Sequence, residues 1–200
     1  MELGSSAPVP GGGSAAALAG ALGTELLLMT CRLPKSRSND EAEKAALQKA
    51  ALRLEALAAA LRDAVDADAE SFDAVMKAMR LPRENDEQKR VRSAEIQRAY
   101  QEATRVPLAV GAGAAEALSI ASAIVSSVNP NALSDAGSGA ALLAATVDGA
   151  TYNVQINLQA VKDEAFVEAH REELAGVRDG ARESLQSVRA FLERDGLKLL

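Results

Sequence analysis

From Ser38 to Arg80 the chain runs without a glycine or a proline, and the run is rich in Ala, Leu, Glu and Lys. These are the strongest helix formers, so the stretch predicts either one very long helix or two joined by a bend. Helices of that length bury their apolar stripes most readily against other helices. Composition points the same way. Apolar residues make up 48% of the chain but aromatics only 2%, which leaves a core of Ala, Leu and Val. Cores of small residues bring helices close together. Few β-branched runs alternate at period two. The expected class is all-α: an Ala-rich helical bundle with long helices. Residues 1–200 are expected to form a single domain, because no Pro/Ser/Gly-rich linker divides them.

Punctuation residues set the helix boundaries. Gly11, Gly12 and Gly13 lead into Ser14, a good N-cap type, so the first helix is expected from Ser14 to Leu33, with Pro34 ending it. Ser38-x-x-Glu41 reads as a capping box for the long second segment. Pro82 breaks the chain, and a charged helix is expected from Asn85 to Pro107, where it kinks or ends. A small-residue helix then runs to Val128. After the turn Asn129-Pro130-Asn131, Ser134 or Asp135 is expected to cap a helix reaching Gln159. A last amphipathic helix covers Asp163 to Arg194, loosened by Gly176, Gly180 and Gly196.

Charge and cysteine usage exclude several functions. A net charge of -6 argues against nucleic acid as a partner, because phosphate binding needs a basic face. A single cysteine, Cys31, allows no intramolecular disulfide and fits a reducing, cytoplasmic location. With one Cys and one His, His170, there is no zinc-deaminase signature, and no metal is expected. His170 lies in an acidic helix, so a Ser–His–Asp nucleophile is not expected either. The stretch Leu108 to Val128 is long enough to span a membrane. Its Glu116 and its Ala, Gly and Ser content favour a buried helix instead.

Four features carry candidate chemistry. Leu47, Leu54, Leu61, Asp68 and Val75 recur every seven residues, placing one carboxyl on an otherwise aliphatic stripe. Such an Asp costs free energy unless paired, hydrogen-bonded or protonated, and it suits general acid or base work. A bend near Asp63 to Asp66 would instead put it in water. Secondly, Asp135, Gly139, Thr146, Ala150, Asn153 and Asn157 fall near one helix face, polar at both ends. The amides there either meet a heterocycle with mixed edges or only tie helices together. Thirdly, Gly11 to Ser14 opens a helix, whose free N–H groups attract anions. Lastly, Lys77, Arg80, Arg83, Lys89, Arg90 and Arg92 mix with acids as a solvated surface does. Arg80 and Arg83 flank Pro82 and are placed to receive the carboxylates of an acidic ligand.

Four segments together resemble the formiminotetrahydrofolate cyclodeaminase family, which includes bacterial methenyltetrahydrofolate cyclohydrolases. They are PGGGSAAALAGALG (Pro10 to Gly23), DAESFDAVMKAMRLP (Asp68 to Pro82), AEIQRAYQEATRVPL (Ala94 to Leu108) and NPNALSDAG…NVQIN (Asn129 to Asn157). Their order and spacing agree along nearly the whole chain. Two departures stand out. Only Met1 to Ala7 precede Pro8, where family members usually carry another helix, and Arg83 stands where a Lys often follows Leu-Pro.

The resemblance implies an all-helical homodimer acting on the one-carbon unit between N5 and N10 of tetrahydrofolate, with no further cofactor. The favoured reaction is closure of 5-formiminotetrahydrofolate to the 5,10-methenyl compound with loss of ammonia. Hydrolysis of the methenyl compound to 10-formyltetrahydrofolate is the alternative, and a silent folate-binding scaffold a third reading. On this reading Asp68 is the acid/base group, and Asp135 a second carboxylate holding the pterin or orienting a proton. Asn131, Ser134, Asn153 and Asn157 bind polar edges of the folate. Gly11, Gly12, Gly13, Ser14 and Arg83 receive the carboxylates of the glutamate tail, possible polyglutamate included.

Overall fold

The computed structural model describes residues 3–33 and 40–194, so Pro34, Ser38 and Gly196 lie outside the described residues. Five α-helices carry the chain: α1 Gly12–Arg32, α2 Glu41–Met79, α3 Asp86–Ile124, α4 Leu133–Leu158 and α5 Glu164–Arg194. A single 3-10 turn, Pro130–Ala132, precedes α4, and no strand occurs among the described residues. Helices α1 to α4 form a closed ring in chain order, and α5 lies against α3 and α4. The contacts run antiparallel. Arg32 meets Glu55 and Glu25 meets Arg62 between α1 and α2, while Arg53 meets Glu116 between α2 and α3. The expected all-α, Ala-rich bundle of long helices is the fold observed.

The long glycine-free run is one helix of 39 residues, with no break near Asp63 to Asp66. Its seven-residue stripe packs as the periodicity requires: Leu54, Leu61 and Val75 are buried, and Leu47 and Asp68 half-buried. The N-cap is Asp40, whose side chain accepts from Ala42 N–H at 2.8 Å. Two other expected caps are corrected. The N-cap of α1 is Gly11, and Ser14 stands inside the first turn. Helix α4 starts at Leu133 behind Ala132, so neither Ser134 nor Asp135 caps it. The 3-10 turn already satisfies part of the chain entering α4, with Ala132 N–H donating to Asn129 O.

Of the two expectations at Pro107, an end of the helix is overturned, because α3 continues through it to Ile124. A proline inside a helix has no N–H for the carbonyl four residues earlier. Here that carbonyl belongs to Ala103, and it accepts from Asn157 Nδ2 of α4 at 2.6 Å. The side chain of a neighbouring helix thus replaces the missing main-chain donor. Glu116, the acid within the apolar stretch, is held by Arg53 through two hydrogen bonds. The guanidinium, more than the opposing cost of burial, keeps its carboxyl below the usual range.

Small residues decide how closely helices approach. A Cβ added to Gly23 would lie 2.8 Å from the Gly139 carbonyl oxygen, and one added to Gly139 would lie 2.9 Å from Gly23 O. Thr146 Oγ1 lies 3.1 Å from Ala16 O and 2.9 Å from Leu142 O, fastening α4 to α1. Buried Thr24, Thr30, Thr104 and Thr151 each donate to a main-chain carbonyl of their own helix. Among the described residues no buried side-chain polar atom lacks a partner. Helices α1 and α3 are long and apolar enough to cross a membrane by composition, and half or more of each apolar stretch is buried in the bundle.

Asn157→Ala should lower the unfolding free energy in urea by about 1–3 kcal/mol, because it leaves the Ala103 carbonyl without a donor. The loss should shrink by at least half in a Pro107→Ala background, where the main chain supplies that donor again. Burial pushes the Cys31 thiol up to about 11, against the opposing pull of Arg32. Alkylation of Cys31 by iodoacetamide at pH 8 should therefore be on the order of 100-fold slower than for an unperturbed thiol, and should accelerate through pH 10.

Candidate functional site

A cleft of about 500 Å³ opens where the start of α1, the C-terminal half of α2, the middle of α3 and the end of α4 converge. Its polar wall is made by Gly11, Gly12, Gly13, Asp68, Asn153 and Asn157, and its apolar wall by Phe72, Val75, Met76, Met79 and Tyr100. The size is that of a small-molecule site.

Asp68 is fixed from the α1 side. Ser14 is buried, and its Oγ–H donates to Asp68 Oδ2 at 3.0 Å. Gly13 is the residue that makes room: an added Cβ there would lie 2.1 Å from Asp68 Oδ1 and 2.7 Å from Oδ2. The carboxyl therefore rests on the first turn of α1, where unpaired N–H groups favour negative charge. Asp68 is neither sealed in the core nor on the open surface. It is half-buried on the cleft wall.

Each of the two asparagines commits one of its two amide N–H groups. Asn153 Nδ2 donates to Gly149 O at 2.8 Å, and Asn157 Nδ2 donates to Ala103 O at 2.6 Å. Since the partners are carbonyls, only the amide nitrogens can serve, which leaves each amide its oxygen and its second N–H for a ligand. The two amides thus tie the fold together and still present a donor and an acceptor each.

The expected site divides in two. Gly11, Gly12, Gly13, Ser14, Asp68, Asn153 and Asn157 come together around the cleft. Asn131, Ser134 and Asp135 lie at the opposite end of α4, and eighteen residues of helix, about 27 Å, separate Asp135 from Asn153. Between them, Gly139, Thr146 and Ala150 pack against Gly23, Ala16 and Gly111, so the middle of that face is a helix seam. Arg83 lies in the α2–α3 loop, exposed, four residues beyond Met79 at the cleft's end. Of the other basic residues, Lys89 pairs with Asp86, Arg90 with Glu87, and Arg92 donates to Met79 O. They belong to a solvated, fold-supporting surface. His170 stacks on Phe166 with its ring 3.7 Å away, and is not among the residues lining the cleft.

Tyr100, Met76 and Met79 were not singled out by spacing or motif. A signal was available in their rarity: the chain has five aromatic residues, three Phe and two Tyr, and two of them, Phe72 and Tyr100, wall this cleft. A chain that buries no aromatic fully and places two in one pocket provides flat surfaces for a ring there.

The comparisons with known proteins agree on one family. A model described as formiminotransferase-cyclodeaminase matches residues 1–176. The methenyltetrahydrofolate cyclohydrolase of Methylorubrum extorquens is 39% identical over 175 residues, covering 88% of this chain and 84% of that protein. The formimidoyltransferase-cyclodeaminase of Sus scrofa is 33% identical over 96% of this chain, which spans 36% of that longer protein. The solved formiminotetrahydrofolate cyclodeaminase of Thermotoga maritima superposes with a TM-score of 0.86 at 26% identity, over 96% of this chain and 92% of that one.

The two adjacent glycines of the loop should behave differently on substitution. Gly13→Ala should displace the Asp68 carboxyl and cost about 1–3 kcal/mol by thermal denaturation, and Asp68→Ala should recover most of that loss in the double variant. Gly12→Ala meets only the Asn153 amide, Nδ2 at 3.5 Å and Oδ1 at 3.9 Å. It should change stability by less than about 1 kcal/mol.

Proposed function

The chain belongs to the formiminotransferase-cyclodeaminase family, and from that premise we propose that it is a folate enzyme acting on the one-carbon unit bridging N5 and N10. The observation that carries the reading is the cleft with a polar wall of Asp68, Asn153 and Asn157 and two aromatic walls. A reduced pterin offers a flat ring for Phe72 and Tyr100, and N–H groups along its edges for Asn153 Oδ1 and Asn157 Oδ1. The methenyl form carries a positive charge delocalised over N5, the bridging carbon and N10. A carboxyl positioned by Ser14 and Gly13 suits that cation and the transition state that leaves it.

Hydrolysis of 5,10-methenyltetrahydrofolate is the favoured direction. Its support is the 39% identity to a cyclohydrolase matched along 84% of its length. Asp68 takes a proton from water as the water oxygen bonds to the bridging carbon. The tetrahedral carbon then releases N5 as Asp68 returns the proton to it, and the remaining hydroxyl proton leaves to solvent as the carbonyl forms, giving the 10-formyl compound. Deamination of 5-formiminotetrahydrofolate is the second reading, favoured by the likeness to the Thermotoga maritima cyclodeaminase. There N10 attacks the formimino carbon, and Asp68 serves to protonate the departing ammonia. Both routes pass through a carbon held between two nitrogens, so one acid/base group serves either.

The carboxylates of the glutamate tail are assigned to Arg83 alone. The loop Gly11 to Ser14, first read as an anion receiver, already faces Asp68, and a second carboxylate there would be repelled. No residue is assigned to a metal, and among the described residues no group of three or more His, Cys, Asp or Glu side chains is placed to hold one.

A paired absorbance assay of the methenyl chromophore tests the reading. Loss of chromophore from 5,10-methenyltetrahydrofolate, faster than in buffer, is the expected result. Appearance of chromophore with ammonia from 5-formiminotetrahydrofolate would transfer the assignment to deamination, and silence in both would reject an enzyme. Asp68→Asn should lower kcat by about 10²-fold or more while folate binding persists.

A further inference from the structure

Helix α4 ends by tightening. Ala160 N–H donates to Asn157 O at 3.0 Å and Val161 N–H to Leu158 O at 3.2 Å, three residues back instead of four. The next main-chain groups are the Ala160 carbonyl and the Lys162 N–H, and one side chain of α3 takes both. Gln97 donates from Nε2 to Ala160 O at 3.0 Å and accepts at Oε1 from Lys162 N–H at 2.7 Å. A single orientation of the amide serves, since the carbonyl needs a donor and the N–H an acceptor. The two groups flank Val161, which is buried, so the turn is pinned at three consecutive residues. Gln97 engages it as a neighbouring strand would, with one amide in place of a peptide.

That turn forms part of the cleft. Gln159 and Ala160 line it beside Ile156 and Asn157, whereas Gln97 itself does not. Gln97 lies one turn before Tyr100 on α3, and Tyr100 and Ala103 line the cleft too. The fastening is reciprocal. Asn157 reaches from α4 to the Ala103 carbonyl of α3, and Gln97 reaches from α3 to the chain just past α4. One such link would leave the end of α4 free to pivot about it, and two links at different levels of α3 do not. Asp68 is held elsewhere, by Ser14 and the first turn of α1. The cleft is therefore assembled from two halves that are fixed separately: a carboxyl half on α1 and α2, and an amide-and-turn half on α3 and α4.

We infer that Gln97 is a positioning residue for substrate binding: its amide holds the α4–α5 turn where Asn157, Gln159 and Ala160 meet the ligand, and it takes no part in the chemical step. The identity of that ligand rests on the folate reading above, whereas the clamp itself does not. The consequence is specific. A turn released from α3 must be ordered by the substrate each time it binds, so the loss falls on affinity. Asp68 keeps its own supports, so the barrier from bound substrate to transition state is unchanged. An interaction that favours bound substrate and transition state alike is read in KM and not in kcat. Asp68, as the acid/base group, shows the opposite split.

Gln97→Leu removes both hydrogen bonds without adding bulk. With the folate that the parent turns over, it should raise KM roughly 10-fold and leave kcat within about 3-fold of the parent. Hydrogen exchange at the Lys162 amide should quicken about 10-fold or more, with an unchanged helical circular dichroism spectrum. Gln97→Glu is a variant that can be switched. Ionised, the introduced carboxyl accepts from Lys162 N–H but repels Ala160 O; protonated, it again has a donor and an acceptor in the places of the amide's. The facing carbonyl disfavours the charged form and raises the pKa of that carboxyl above the reference of about 4.3. The KM of Gln97→Glu should therefore exceed the parent's about 10-fold at pH 8 and approach it as the pH falls to about 5. The ratio to the parent at each pH removes the titration of the other groups, Asp68, Tyr100, Asp163, Glu164 and His170 included. An unchanged KM in Gln97→Leu, a loss carried by kcat alone, a Lys162 amide that exchanges as in the parent, or a Gln97→Glu defect equal at both pH values would each overturn the inference. A parent inactive on both folates would overturn the folate reading instead, leaving the clamp to be decided by the Lys162 exchange alone.

Discussion

Gly23 and Gly139 face each other with no room for a Cβ on either, and Gly20 presses on Thr146 one turn away. This crossing of α1 and α4 fixes much else. With side chains there the helices would stand further apart, the Thr146 link to Ala16 would be lost, and the start of α1 would not reach Asp68 and Asn153 at the bundle's end. Helices this close gain dispersion contacts along their whole length, which replaces what larger apolar side chains supply in other cores. The dearth of aromatics is thus a consequence of the architecture. No ring is fully buried among the described residues: Phe166 and Phe191 pack on the edges of the core, and two of the five rings are found where a cavity exists.

The cleft is held open by side chains that work for the fold and the site together. Asn157 replaces the donor that Pro107 removes from α3, and its amide oxygen is left as an acceptor. Ser14 places the Asp68 carboxyl with the same hydrogen bond that joins α1 to α2. Such double duty accounts for polar groups among small apolar residues, since each is satisfied by its neighbour and no penalty of an orphan remains. It also means that site and stability cannot be mutated independently at Asn157, Ser14 or Gly13.

Much of the fold was legible because helices are written locally. The uninterrupted run of α2, the seven-residue stripe through Leu54, Leu61 and Asp68, and the proline and glycine boundaries follow from propensity and periodicity within a few turns. The loop, Asp68, Asn153 and Asn157 were legible as candidates for a related reason: polar groups on apolar stripes stand out. The caps of α1 and α4 were misread, because Ser14 and Ser134 are cap types whose local alternatives were overruled by Asp68 and by the 3-10 turn. Tyr100 and Met76 were missed because nothing in the spacing of α2 or α3 distinguishes a cleft wall from a packed seam.

The sequence by itself determined the all-helical class, the long α2, the small-residue seams and the family, since each resides in neighbouring residues or in motifs that can be read in order. Only the tertiary structure decided which of the polar residues meet. Ser14 and Asp68 are 54 residues apart, as are Ala103 and Asn157, and both contacts depend on the register in which two separate helices pack. The same register sends Asp135 to the far end of α4 from Asp68, although one motif carries it together with Asn153 and Asn157. A helix preserves direction along its axis but keeps its ends apart, so sequence motifs that lie on one helix face need not lie in one site.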